Sequence, residues 1–363
     1  MDDVYMRRAL ELAERGRGLV APNPLVGAVL VRDGEVVGEG WHEGPGTRHA
    51  EIVALEAAGS ATGSTLYVTL EPCSHVGRTP PCAPRLIDAG VAQVVAAMRD
   101  PNPLVDGRGI RILEEGGVPV AVGLLQGEAE RLNEAFVKHV RTGLPLVVLK
   151  MAASLDGRAA ARDGSSHWIT GPEARAEVHT MRAAADAILV GAGTALRDDP
   201  RLTVRDPSYT GPAKLRVLVD GGGIVPETHR LFDGEAPTLV ATTEAAPESR
   251  RHAWRDRGVE VVVLDEGSSH VPLERLLAEL GKRDVQHLLV EGGPTIAWEF
   301  VHRNLLDRLV LYVAPVLVGG REAPGILQGD GGRSIAEALP LEIEEVGRVG
   351  RDLKVIARVH GDR

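Results

Sequence analysis

The chain has 363 residues, enough for two domains. Apolar residues make up 44% and charged residues 25%, the balance of a soluble globular protein, while only 3% aromatics leaves the core to Val, Leu, Ile and Ala. A formal net charge of −10 argues against a surface that tracks polynucleotide phosphates, yet a few local arginines can still serve a small phosphorylated ligand.

The opening "MDDVYMRRALELAERG" has apolar residues at helical spacing, with Asp2 or Asp3 available as a cap. It is acidic and amphipathic, unlike the basic start and apolar run of a signal peptide. No later stretch approaches the roughly 18 continuous apolar residues of a membrane span. A cytoplasmic location is the expectation. "VGAVLVRDGEVVGEGW" reads as a β-hairpin around the turn pair Asp33-Gly34. A helix beginning near His49, a strand "TLYVTL", a helix beginning near Cys82 and a strand "VAQVVAAM" follow. "GRGIRILEEGG" and "VPVAVGLL" add one more helix and strand. The sum is an α/β/α layered domain of about 140 residues.

Around "RTGLPLVVLKMAASLDG" the pattern restarts, with Gly143 and Pro145 punctuating a turn before a buried strand. The boundary falls near residue 144, giving domains 1–143 and 144–363. Three apolar strands of the second half end in glycines: "AILVGAGT", "LRVLVDGGG" and "HLLVEGGPT". Two lead into helical patterns, "TALRDD" and "IAWEFVHRNLL". That is α/β architecture with ligand loops at the carboxyl ends of strands.

The chemistry concentrates in "HAEIVALEAAGSATGSTLYVTLEPCSHVGRTPPC", which holds both cysteines of the chain. Two cysteines in so long a chain do not make a disulfide scaffold. His49, Cys73 and Cys82 can fill three positions of a tetrahedral zinc site and leave the fourth for water. Thiolates favour zinc over magnesium or calcium. His49 and Cys82 fall at predicted helix starts, where the macrodipole favours anions. Zinc lowers the pKa of a water it holds to about 7. Glu51 then suits the shuttling of a proton from that water to a leaving nitrogen. His-x-Glu followed by Pro-Cys and a second Cys is the zinc deaminase signature. Its commonest form has two residues between the cysteines, whereas "SHVGRTPP" supplies eight here. The longer loop can bring His75 and Arg78 toward a substrate. The competing arrangement is a closed zinc knot, for which His75 or His42 would supply a fourth ligand.

"HAE", "VTLEPCSHVGRTPPC" and "DPNP", together with "KMAASLDGRAA", "SHWITG", "RAAADAILVGAGTALRDDPRLTVR" and "VEGGPTIAWEF", resemble the bifunctional deaminase–reductases of bacterial riboflavin biosynthesis. The resemblance spans nearly the whole chain and keeps the family's motif order. It implies a cytidine-deaminase-like α/β/α layered domain followed by a dihydrofolate-reductase-like α/β domain. The first would deaminate a diaminopyrimidinone carrying a ribosylamino phosphate, using one zinc ion per chain held by His49, Cys73 and Cys82, with Glu51 as proton donor. The second would use NADPH to reduce the ribosyl group to ribityl. Asn23, His42 and His75 correspond to groups near the pyrimidine. Each also has a bland reading, as a turn residue between prolines or as exposed loop histidines.

For the reductase half the resemblance places cofactor contacts on Ala152, Trp168, Thr194, Asp198, Gly293, Pro294, Thr295, Ile296, Ala297, Trp298 and Glu299. It places substrate contacts on Ser166, Arg182, Leu202, Arg205 and Glu291. Hydride transfer needs orientation more than protein chemistry. Glycines in "VEGGPT", with a helix from Ile296, would let backbone N–H groups approach a pyrophosphate. "VGAGTAL" is a partial match to the dinucleotide fingerprint, since Leu196 takes the last small-residue position. Alone, either glycine pair is also a tight strand–helix turn. Arg182 and Arg205 suit a phosphate through paired charged hydrogen bonds. Lys150 either polarises the substrate or pairs with Asp156. Trp168 is either core filling or a wall for the nicotinamide.

Two rival functions are a deaminase acting on nucleic acid with a non-reductase second domain, and a zinc-stabilised binding module without catalysis. Acidity and the lack of interleaved basic and aromatic residues weigh against the first. The expected partner is a small phosphorylated pyrimidine, with neither nucleic acid nor membrane. A homo-oligomer, dimer or tetramer, is expected, with "RLVLYVAPVLVGG" a candidate subunit contact.

Overall fold

The computed structural model describes residues 2–74, 80–103, 105–264 and 269–359. The chain divides into two units, Met1–Leu144 and Pro145–Arg363. Among the described residues no helix is long and apolar enough to cross a membrane.

The first unit opens with α1 (Asp2–Glu14), which buries Met6, Ala9, Leu12 and Ala13 along one face and places Asp2 and Asp3 in its first turn, where the macrodipole favours acid. The hairpin β1 (Gly27–Arg32) and β2 (Glu35–Trp41) turns at Asp33-Gly34, both with positive φ, as a two-residue turn demands. α2 (Ala50–Ala58), β3 (Thr65–Val68), α3 (Cys82–Asp88), β4 (Gln93–Ala96), α4 (Arg108–Glu115), β5 (Val120–Val122), α5 (Gln126–Leu132) and α6 (Glu134–Thr142) follow. The sheet order is β2-β1-β3-β4-β5, with β3, β4 and β5 parallel and β1 antiparallel to both its neighbours.

Period-two alternation builds two cores on this sheet. Ala28, Leu30, Leu66, Val68, Val94 and Ala96 point to the side of α2, α3 and α4, where they meet Ala50, Ala54, Ala83, Leu86 and Leu113. Val29, Val31, Tyr67 and Val95 point the other way, onto Met6, Ala9, Leu12 and Ala129 of α1 and α5. This is the three-layer domain expected. Gly38 and Gly40 let α2 lie directly on β2, since a Cβ would stand 2.2 Å from the Ala54 carbonyl oxygen and 2.3 Å from that of Ala50. The glycine stripe therefore sets the depth of the helix that carries Glu51.

The second unit contains β6 (Leu146–Ser154), α7 (Pro172–Ala184), β7 (Ala187–Gly191), α8 (Ala192–Asp198), β8 (Leu215–Val219), β9 (Thr238–Thr242), α9 (Glu248–Asp256), β10 (Glu260–Val263), α10 (Leu273–Gly281), β11 (His287–Val290), α11 (Pro294–His302), β12 (Arg308–Ala314), β13 (Leu341–Val349) and β14 (Asp352–Val359). The sheet runs β10-β9-β8-β7-β11-β6-β12-β14-β13. Pairing is parallel from β10 to β12 and antiparallel through β14 and β13. Its inner strands are buried along nearly their whole length, as strands covered on both faces must be. The late strand β11 inserts between β7 and β6, so the strand order reverses there, and ligands of open α/β sheets collect at such switch points.

Candidate active sites

In the first unit, His49 caps α2 in an extended conformation (φ −71, ψ 157) and Cys82 opens α3. His49 Nδ1 lies 3.2 Å from Cys82 Sγ and 3.4 Å from Cys73 Sγ. The Cys82 backbone N–H donates to Cys73 Sγ at 3.3 Å. All three donor atoms lie within 4.8 Å of one another. The Cys73 thiol is pushed down to about 4, first by the hydrogen bond from the Cys82 side chain and then by His49 against the cost of burial, while Cys82 moves up because the pair shares a proton. Two soft sulfurs and one imidazole converging in this way fit zinc.

Glu51 is 3% exposed, and burial raises its carboxyl pKa, helped by Cys73. Its side chain lies within hydrogen-bonding reach of Cys82. Asn23 and His42 stand at the same place: Asn23 Nδ2 is 2.9 Å from His42 Nε2, and the His42 ring packs edge-on against His49 at 5.7 Å. His42 Nδ1 donates to the Arg48 carbonyl at 3.1 Å, which leaves Nε2 to accept from Asn23. Both ring nitrogens are thus engaged, and burial lowers the His42 pKa, so His42 does not close the cluster as a fourth ligand. Among the described residues no fourth donor joins the three. His75 and Arg78 lie outside the described residues. Two contributors were not singled out in the sequence, although Glu71 lies within the "VTLEPC" motif, two residues before Cys73. Buried Asn133 accepts from the Leu25 N–H (2.8 Å) and donates to its carbonyl (2.9 Å), which pins the loop bearing Asn23. Buried Glu71 accepts from several backbone N–H groups beyond β4.

In the second unit a cleft of about 1320 Å³ opens at the carboxyl ends of β6, β7 and β11. This exceeds the roughly 300–1,000 Å³ of an ordinary small-molecule pocket and leaves room for two ligands side by side. Its lining includes Lys150, Ala152, Ser166, Trp168, Arg182, Thr194, Asp198, Leu202, Arg205, Glu291, Gly293, Pro294, Thr295, Ile296 and Glu299. The turns after β7 and β11 meet here: a Cβ on Gly293 would stand 2.9 Å from Thr194 Oγ1. The backbone edge so exposed fits a dinucleotide.

Two expected contacts turn away from this cleft. Ala297 is fully buried and Trp298 stacks on His302 with ring centroids 5.3 Å apart. The cause is helical rotation: α11 starts at Pro294, earlier than the expected Ile296, and residues 295, 296 and 299 take the cleft side. Trp168 is 66% exposed, so it is not core filling, and the Arg175 guanidinium lies 4.6 Å from its ring centroid. Lys150 faces Glu291 at 3.6 Å, whereas Asp156 accepts from Ser154, Val318 and Gly319. Lys150 therefore pairs with Glu291 in place of Asp156.

Arg182 donates Nε and Nη2 to the two carboxylate oxygens of Glu291 at 2.5 and 2.9 Å, and Nη1 to the Thr203 carbonyl at 3.2 Å. Burial alone would raise Glu291, but Arg182 and Lys150 outweigh it and hold the carboxyl at about 2. Arg205 is placed differently. Its pKa is lowered by partial burial and by repulsion from Arg182, Arg201 and Arg230, offset in part by Glu291. His179 joins it, accepting the Arg205 backbone N–H at 3.2 Å. His179 was legible in principle, since it precedes Arg182 by three residues on α7 and so shares its face.

The chain matches the family described as "RibD C-terminal domain" over residues 145–355 and "Cytidine and deoxycytidylate deaminase zinc-binding region" over residues 1–98. It is 44% identical to the riboflavin biosynthesis protein RibD of Escherichia coli (strain K12), over 97% of this chain and 98% of that one. The RibD of Bacillus amyloliquefaciens is 43% identical, over 98% and 96%. Among solved structures, Acinetobacter baumannii RibD (form 1) superposes with a TM-score of 0.90 at 38% identity, covering 99% of both chains. A diaminohydroxyphosphoribosylaminopyrimidine deaminase/5-amino-6-(5-phosphoribosylamino)uracil reductase from Thermotoga maritima gives 0.86 at 35% identity, again over 99% of both.

Proposed function

The chain belongs to the RibD family of bifunctional deaminase–reductases in riboflavin biosynthesis, and from that membership we propose how its residues divide the work. The first reaction is hydrolytic deamination of a diaminopyrimidinone that carries a ribosylamino phosphate. The second is NADPH-dependent reduction of the ribosyl group to ribityl.

The observation that carries the first assignment is the convergence of His49, Cys73 and Cys82 beside a buried Glu51. His49, Cys73 and Cys82 would hold zinc, which when bound would supply Lewis acidity toward a water molecule. Glu51 moves the protons: its carboxylate takes one from the attacking water and returns it to the departing amino nitrogen. Burial suits this task, because it brings the carboxyl closer to the pH at which it must both accept and release. The Asn23 amide donates to His42, which turns its carbonyl oxygen outward as an acceptor for a substrate amino group.

In the cleft, Thr194, Gly293, Thr295 and neighbouring lining residues would hold NADPH, which when bound would supply the hydride. Trp168 walls the nicotinamide. Arg205 with His179 takes the substrate phosphate, because the Arg182 guanidinium is already committed to Glu291. Ser166, Leu202 and Lys150 contribute the remaining substrate surface. We further infer a cytoplasmic protein without nucleic-acid partners, assembled as a dimer or tetramer.

Ammonia release separates this reading from polynucleotide deamination. Full-length protein given the phosphorylated diaminopyrimidinone should release ammonia, and RNA or DNA oligonucleotides should yield none. Activity confined to the polymers would reverse the assignment.

A further inference from the structure

We infer that Glu71 is a positioning residue of the deaminase site, clamping the Pro72–Cys73 segment so that the Cys73 sulfur stands where the metal needs it. The inference rests on the zinc deaminase reading above. Glu71 is 3% exposed and sits two residues before Cys73. Its Oε1 accepts from the N–H groups of Gly109 (2.9 Å) and Ile110 (3.3 Å), and its Oε2 from those of Gly107 (3.0 Å) and Asp100 (3.3 Å). Its own N–H donates to the Met98 carbonyl at 3.0 Å. A carboxylate can satisfy donors on both oxygens at once, which no neutral side chain of that length can do.

A capping carboxylate for α4 could come from anywhere in the chain. Here it comes from the peptide that ends in a metal ligand, and α4 abuts that same peptide. A Cβ on Gly109 would stand 1.9 Å from the Pro72 carbonyl oxygen. Beyond Pro72, the Cys73 carbonyl accepts from the Ala83 N–H at 3.2 Å and its sulfur from the Cys82 N–H at 3.3 Å. The ligand is thus held from the α3 side and from the Glu71 side. The clamp also absorbs the "DPNP" motif: Asp100, bound to Glu71, accepts from the Asn102 N–H at 2.8 Å and so ties this turn to the metal ligand. Groups that orient metal ligands typically change affinity or activity about 10–100-fold when altered.

The test uses full-length wild type, Glu71→Gln and Gly109→Ala. Glu71→Gln keeps the shape but turns an NH2 group toward backbone N–H donors; Gly109→Ala keeps the carboxylate but pushes chiefly on the Pro72 carbonyl, its Cβ also standing 3.2 Å from Glu71 Oε1. Both variants should lose zinc to a colorimetric chelator about tenfold faster than wild type or more. The cobalt-substituted variants should show an altered ligand-field spectrum, while NADPH oxidation on supplied deaminated substrate stays at the wild-type rate. Wild-type zinc release and cobalt spectra in both variants would overturn the inference alone. A wild type that takes up no zinc would overturn it together with the deaminase reading.

Discussion

Arg182 and Glu291 form a two-pronged ion pair inside the reductase cleft, with side-chain exposures of 10% and 7%. Buried charges of this kind cost little when matched and much when one is removed, about 3–5 kcal/mol. Glu291→Gln is therefore expected to destabilise the reductase unit by about that amount, read by chemical denaturation. The pair also fixes a pH dependence. The Glu291 carboxyl is depressed from 4.5 to about 2, so its contribution is complete above pH 4.5 and is lost as pH falls toward 2. The acid limb of wild-type stability in this window should flatten in Glu291→Gln.

Arg205 and Arg182 should separate kinetically although both are cleft arginines. Arg205→Ala removes a charged hydrogen-bond donor from the phosphate, worth about 1.5–3 kcal/mol, so KM for the deaminated phosphorylated substrate should rise about tenfold to a hundredfold. Its folding should be unaffected. Arg182→Ala should instead lower stability, because it strands Glu291. Steady-state kinetics and thermal unfolding of the two variants check the split.

Trp168 presents an exposed ring backed by Arg175. Aromatic stacking contributes about 1 kcal/mol. Trp168→Ala should accordingly raise KM for NADPH about fivefold, and Trp168→Phe should recover part of the loss. Initial rates at varied NADPH provide the measurement.

Gly40 meets the Ala50 carbonyl under α2. Gly40→Ala should force the helix outward at a cost of about 1–3 kcal/mol and weaken zinc retention, since the same helix carries Glu51 beside His49. Zinc content after dialysis and unfolding of the deaminase unit test this, with NADPH oxidation on supplied deaminated substrate as the internal control.

Legibility followed chemistry. His49, Glu51, Cys73 and Cys82 were readable because few residue types bind zinc and both cysteines of the chain lay in one motif. The Asp33-Gly34 hairpin and the glycine-ended strands were readable because turns demand particular backbone angles. The pairing of Arg182 with Glu291 was not, as 109 residues separate them and either could have met water or ligand. The β13–β14 hairpin was also missed, because most of β13 is exposed and its sequence shows no buried alternation. Ala297 and Trp298 fall outside the cleft lining for a related reason: loop proximity in sequence says nothing about rotation around α11.

The central claim is that two chemically independent centres share this chain, and Glu51→Gln in the full-length protein tests it most directly. Zinc should remain at one per chain, ammonia release should fall by about a hundredfold or more, and NADPH oxidation on supplied deaminated substrate should match wild type. Undiminished ammonia release, or an equal fall of both activities in folded protein, would contradict the account.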